Sequence, residues 1–167
     1  MIIERFLTGL VVLVVAIILP FTGSFVDVPE PAVKEGRFDF SVTYEINGEE
    51  TTVSGVYVCK YKKPSVSLDG YSRIWDGYIE GSDIKDENRH EVLENEYGVI
   101  YFDFGLDPRY FMSDYPDGEP YPGFLIVYRD EIAEEMGYFS VDPEVLETYG
   151  VKVISYEYGE PVENSFE

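Results

Sequence analysis

Phe38 to Ile46 alternates strictly between apolar and polar residues and runs directly into Asn47-Gly48. Period-two alternation places Phe38, Phe40, Val42, Tyr44 and Ile46 on one face and Asp39, Ser41, Thr43 and Glu45 on the other, which is the pattern of a half-buried antiparallel strand. Asn and Gly both tolerate positive φ, so the dipeptide predicts a two-residue type I′ hairpin. The turn length sets the register: Ile46 pairs with Glu49, Tyr44 with Thr51 and Val42 with Val53, and Thr43 faces Thr52. Beyond Gly55 the apolar positions move to Val56 and Val58, which predicts a β-bulge at Ser54-Gly55 that returns this strand's apolar side to the core.

The same signals can be followed to the C-terminus. Lys60 to Gly70, with Lys60, Lys62, Lys63 and Pro64, reads as a basic turn region, and Tyr71 to Glu80 as a third strand. Gly81 to Glu96 is polar and reads as an excursion or a short irregular hairpin. Tyr97 to Phe104 is a strong strand. Asp107-Pro108 supplies a cap and a first-turn proline for a helical turn through Met112, and Pro116-Asp117-Gly118 has turn chemistry. Gly123 to Tyr128 is a short apolar strand, and Asp130 to Gly137 is a short helix or a charged loop. Asp142-Pro143-Glu144 starts a helix that Gly150 stops, with Val145, Leu146 and Tyr149 as its apolar stripe. Val151 to Tyr158 is the last strand. With 15 Tyr and 11 Phe, the chain is expected to be an ordered α+β domain, mostly antiparallel β-sheet in meanders and hairpins, with one short helix late in the chain.

Ahead of this domain, Phe6 to Phe25 carries no charge. As a helix it would span about 30 Å, one hydrocarbon thickness. Residues 1–25 therefore read as an N-terminal transmembrane anchor, 26–35 as a linker stiffened by Pro29 and Pro31, and 36–167 as the folded domain. Arg5 before the run, and Asp27 and Glu30 after it, put the N-terminus inside and the domain on the extracytoplasmic side of a single-pass protein of a bacterial cell membrane. The alternative is a secreted domain released by cleavage near Ser24. Leu19-Pro20-Phe21-Thr22-Gly23 spells a sortase pattern, but it lies on the wrong side of the apolar run to anchor the domain and is read as coincidence.

The charge balance excludes some partners. Of 33 acidic and 12 basic side chains, all but Glu4 and Arg5 follow residue 25, and the net charge is −21. A polyanionic nucleic acid would be repelled. Cys59, the single cysteine, cannot form an intramolecular disulfide, and its apolar strand context reads as a buried structural thiol. One His and one Cys cannot build a zinc site, and His90 in a polar stretch reads as a surface residue.

Two candidate sites remain. Trp75 with Tyr71 and Tyr78 has the composition of a stacking platform for a glycan or peptide. Asp103, Asp107, Asp114, Asp117 and Glu119 form an acidic segment whose turns could supply oxygen ligands to calcium, although the spacing is not that of an EF-hand loop. No other cofactor is expected, and no catalytic residue is nominated, because 33 acids always offer some pair at glycosidase separation.

The order of apolar run, proline linker, the segment Phe38 to Gly48, a Tyr/Trp-bearing middle, Ser155-Tyr156-Glu157-Tyr158 and the ending Asn164-Ser165-Phe166 resembles an uncharacterised family of small membrane-anchored extracytoplasmic proteins of Gram-positive Firmicutes. The resemblance covers most of the chain and implies an envelope location, with no activity to transfer. The expectation is a non-catalytic interaction module or accessory subunit that meets the membrane through residues 6–25 and an envelope protein through its domain. A glycan or calcium binder is the alternative, and an enzyme is third.

Overall fold

The computed structural model describes residues 28–67, 70–82, 89–95, 98–115, 117–128 and 136–167. The expected span at 6–25 and its cleavage site lie outside the described residues, as do most of the ambiguous segment 130–137 and the centre of the polar excursion. Among the described residues no helix is long and apolar enough to cross a membrane.

The described residues form two four-stranded antiparallel sheets with a few short helical turns. The first sheet contains β1 (Glu35–Ile46), β2 (Glu49–Ser67), β3 (Gly70–Ile79) and β8 (Val151–Tyr158), in the order β3-β2-β1-β8. The second is the meander β4 (Arg89–Asn95), β5 (Gly98–Asp103), β6 (Gly123–Tyr128) and β7 (Met136–Ser140). Helix α1 (Pro108–Phe111) joins β5 to β6, and α2 (Pro143–Thr148) joins β7 to β8. Both helices carry the expected caps: Asp107 accepts from Arg109 N–H and Asp142 from Glu144 N–H, with Pro following each.

The aromatic faces of the sheets meet in one core. Tyr44 of β1 stacks on Phe102 of β5 with ring centroids 4.4 Å apart and meets Phe124 of β6 edge-on, and Phe40 meets Phe104 edge-on. Phe38 and Tyr57 pack on Phe111 of α1. Sheet-on-sheet packing of alternating inner faces explains why the apolar residues of β1 all lie on one side.

The first hairpin has the predicted form. Asn47 and Gly48 both have positive φ (50° and 88°), Tyr44 pairs with Thr51 and Val42 with Val53, and the Thr43 and Thr52 hydroxyls lie 2.8 Å apart.

The predicted bulge at Ser54-Gly55 is absent. The β1–β2 register runs unbroken from Glu35–Lys60 to Ile46–Glu49, with Phe40 opposite Gly55 and Phe38 opposite Tyr57. The core parity is carried on by Gly55, Tyr57 and Cys59. Gly55 leaves room for the Phe40 ring, which would lie 3.2 Å from an added Cβ. Val58 is fully buried on the opposite face, where it pairs with Arg37 on one side and Tyr78 on the other. Register shifts occur instead opposite Lys62, Val92 and Ile154.

Two further expectations are corrected, and one strand that was not expected is present. Lys60 to Gly70 is largely strand rather than turn: β2 continues to Ser67, pairing with β3. Met136–Ser140 is the edge strand β7 beside β6. Residues 28–34 belong to the fold rather than to a linker. Val28 and Pro31 are buried, Glu30 and Glu167 exchange two backbone hydrogen bonds (2.8 and 3.1 Å), and Ala32 N–H donates to Ser165 C=O. The prolines stop a helix, but they do not prevent this short pairing, because the free N–H groups belong to Glu30 and Ala32.

Cys59 is fully buried, and desolvation pushes its thiol up to about 12. A thiolate is therefore strongly disfavoured in the folded state. At pH 8, native protein should react with a thiol reagent at least a hundredfold more slowly than protein in denaturant, as followed by absorbance of the released reporter group. Comparable rates would show that the β2 core opens readily.

Candidate functional site

The five carboxylates of the acidic segment are dispersed among different structural duties. Asp103, at the end of β5, accepts from Arg89 Nε (3.1 Å) and from Gly105 N–H (2.8 Å). Asp107 caps α1 and holds the Arg109 guanidinium. Asp117 and Glu119 are exposed. Among the described residues no group of three or more His, Cys, Asp or Glu side chains is arranged to hold a metal ion.

Asp114 is the most deeply engaged of the five. Its Oδ1 accepts from Arg73 Nη1 (2.6 Å) and its Oδ2 from Trp75 Nε1 (2.9 Å). The two charged side chains are only 9% and 10% exposed. Arg73 also donates through Nε to Pro29 C=O (2.7 Å), and its guanidinium lies 4.0 Å from the centroid of the Phe166 ring. One arginine thus joins β3, the loop after α1, and both ends of the domain. Donating through Nε and Nη1 to two different acceptors while stacking on an aromatic face suits a planar guanidinium better than an ammonium. This node is a clasp: both carboxylate oxygens are occupied by protein donors.

The predicted platform does not assemble. Trp75 is 8% exposed, packs edge-on against Tyr61 and spends its N–H on Asp114. Tyr71 and Trp75 share the core-side face of β3 by parity, with Arg73 between them, whereas Tyr78 lies on the opposite face near Lys60 Nζ, 5.8 Å from the ring centroid. Tyr71 and Tyr78 are 52% and 41% exposed. In a strand, three residues at spacing four and three cannot all share a face, because side chains alternate with period two. That parity was legible in the sequence.

Sequence reasoning missed Arg73 and Asn164. Asn164 accepts from Val33 N–H (2.9 Å) and donates to the Val33 and Met112 carbonyls (3.0 and 3.2 Å), which pins the C-terminal strap over α1. Ser113 Oγ donates to Val162 C=O (2.6 Å) beside it. The hydrogen-bond partners of Arg73 and Asn164 are all distant in sequence, so no local pattern signals these contacts.

At the opposite end of the first sheet, a cleft of about 410 Å³ opens between the Asn47-Gly48 turn and α2. Glu45, Glu147 and Lys152 are on its wall. Asn47 N–H donates to Gly150 C=O (2.7 Å), and Gly150 adopts φ +67° there. Pro143 and Val151 complete the wall, whose accessible lining is more apolar than polar, with charges of both signs at its edge.

The remaining surface of note is the β8 edge, which among the described residues pairs only with β1. Ile154, at the register shift, and Tyr156 are 38% and 48% exposed on this strand. Compared with protein-family models, curated proteins and solved structures, the chain matches none of them.

Proposed function

We propose that the chain is a single-pass, membrane-anchored extracytoplasmic interaction module, a non-catalytic accessory subunit of a bacterial envelope assembly. The observation that carries this reading is the partition of charge: Phe6 to Phe25 has none, while all but one of the 33 acidic side chains follow it. Such a chain places one segment in lipid and the rest in water. Two structural features support a docking role. Asp103, Asp107 and Asp114, which a ligand or metal site would need, are engaged in structural contacts. The β8 edge carries exposed Ile154 and Tyr156 and has no outer strand partner among the described residues, and an added strand from a partner is a recurring way to use such an edge.

The test is cross-linking of the full-length protein in its native membrane, followed by affinity capture and mass spectrometry. A stoichiometric envelope partner is expected, and its yield should fall at least tenfold for Ile154→Pro, which would obstruct strand addition at the edge. Capture of no stoichiometric partner would overturn the reading. A calcium- or glycan-dependent rise in melting temperature would then favour a ligand binder.

A further inference from the structure

We infer that the strand added at the β8 edge is the β8 strand of a second copy of this chain, antiparallel about a two-fold axis, so that two four-stranded sheets become one continuous sheet. This rests on the reading of that edge as a site of strand addition and names the strand it takes; the envelope partner then meets the pair of copies.

The hydrogen-bond phase of β8 defines the register. Asn47 N–H donates to Gly150 C=O (2.7 Å) and Gly159 N–H to Asp39 C=O (2.8 Å), one bond beyond each end of the β1–β8 ladder. In an antiparallel ladder the backbone groups of successive residues turn alternately toward the partner and away from it. From the Gly150 end, that alternation turns Val151 and Val153 away from β1; from the Gly159 end it turns Tyr158 and Tyr156 away. The register shift at Ile154 separates the two series. Among the described residues no strand lies on the outer side of β8 to take these groups.

The four outward residues match themselves when the strand is turned about an axis between Ile154 and Ser155. Val151 meets the second copy's Tyr158, Val153 meets its Tyr156, and the same pairs recur across the axis, as an isologous contact requires. These pairs supply about eight hydrogen bonds between copies. A slip of one residue would set outward groups against groups already turned to β1. The register shift also keeps the faces aligned. Val153 lies opposite Tyr44 and Tyr156 opposite Val42, so both belong to the inner face; in an unshifted strand, residues three apart would point to opposite faces.

The side chains agree with this register. Lys152 falls opposite the second copy's Glu157, and Glu157 opposite its Lys152, in non-hydrogen-bonded pairs, where side chains come closest. Both residues are exposed, and neither joins an ion pair among the described residues. Tyr156, 48% exposed, covers half-buried Val153 of the other copy, and Ile154, 38% exposed, sits beside the axis next to its own copy. The chain as a whole, at net charge −21, repels a second copy, but salt at physiological strength confines that repulsion to about 8 Å, and the edge itself presents opposite charges.

The test is oxidative cross-linking of the full-length protein carrying Lys152→Cys with Glu157→Cys, in its native membrane, read on a non-reducing gel. The two thiols lie roughly 15 Å apart along one strand, too far to bond within a chain, and Cys59 is buried. In each single variant the inferred register holds the thiol roughly 15 Å from its copy. The expected result is at least fivefold more disulfide-linked dimer from the double variant than from either single variant. Without the added cysteines, Lys152→Glu should lower the dimer fraction seen by light scattering in detergent at least threefold, and Glu157→Lys added to it should restore that fraction. A double-cysteine variant no better than the single ones, or a dimer fraction indifferent to both charge changes, overturns the second copy as the occupant. If Ile154→Pro then still releases a captured envelope partner, the edge takes a foreign strand and the strand-addition reading stands. If Ile154→Pro leaves capture unchanged, that reading falls with the dimer.

Discussion

Replacing Asp114 with alanine is expected to cost the domain about 3–5 kcal/mol, the loss typical when one partner of a buried ion pair is removed and the other stays. The Arg73 and Asp114 side chains are 9% and 10% exposed, so water cannot readily replace the missing carboxylate. Trp75 Nε1 loses its acceptor in the same step, and an unsatisfied buried donor adds to the penalty. Removing both charges with Arg73→Met and Asp114→Leu together should cost clearly less than Asp114→Ala alone, because no orphan charge is left. Urea titration of residues 28–167, followed by the fluorescence of Trp75, measures both variants. A loss below about 1 kcal/mol for Asp114→Ala would place the pair with solvent-exposed bridges and refute the clasp. The clasp also bears on calcium. Because Asp114 substitutions act on stability, a fall in apparent calcium response on changing this residue would not by itself identify a ligand.

Legibility in the sequence followed the range of the interactions. Wherever a signal was local, it specified structure closely. Asn47-Gly48 determined the turn and, through the register it sets, the Thr43–Thr52 contact on the outer face. Asp107-Pro108 and Asp142-Pro143 marked both helix starts, and Val151–Tyr158 emerged as a strand with those same ends. The failures arose where a partner distant in sequence decided the outcome. At Gly55 the sequence offers Val56 and Val58 as attractive core residues, yet Phe40 needs the space above a glycine, and Tyr57 with Cys59 fills the interior. Lys60 to Ser67 is polar enough to look like a turn, but pairing with β3 satisfies its backbone, and backbone satisfaction outweighs side-chain polarity on an exposed arm. The candidate sites were the least legible. Trp75 and Asp114, nominated for two different sites, are hydrogen-bonded to each other, and Arg73 from the same strand as Trp75 joins them into a clasp.

Phe102→Ala is the second large effect, and it tests whether the two sheets form one cooperative unit. Phe102 is fully buried at the centre of the second sheet's inner face. Its ring stacks on Tyr44 across the sandwich at 4.4 Å and meets Phe104 and Phe124 edge-on at 5.3 and 5.0 Å. Truncation removes the transfer energy of the ring and leaves a cavity between rigid strands, a combination that costs about 3–5 kcal/mol. Close-packed aromatic neighbours cannot collapse into the gap without leaving their own rotamers, so the cost should lie toward the upper end. By contrast Thr52→Ala, on the exposed outer face of the first sheet, loses only the hydroxyl contact with Thr43 and should stay within about 1 kcal/mol. Hydrogen exchange locates the effect. If the sheets open together, Phe102→Ala lowers the protection of β1 amides as much as that of β5 amides, although the substitution lies in the second sheet. Loss of protection confined to β4–β7 would mean that the first sheet holds without its partner. The aromatic contacts between Phe40, Tyr44, Phe102 and Phe124 would then be a docking contact between two separable sheets, and the β8 edge would belong to the sheet that remains folded.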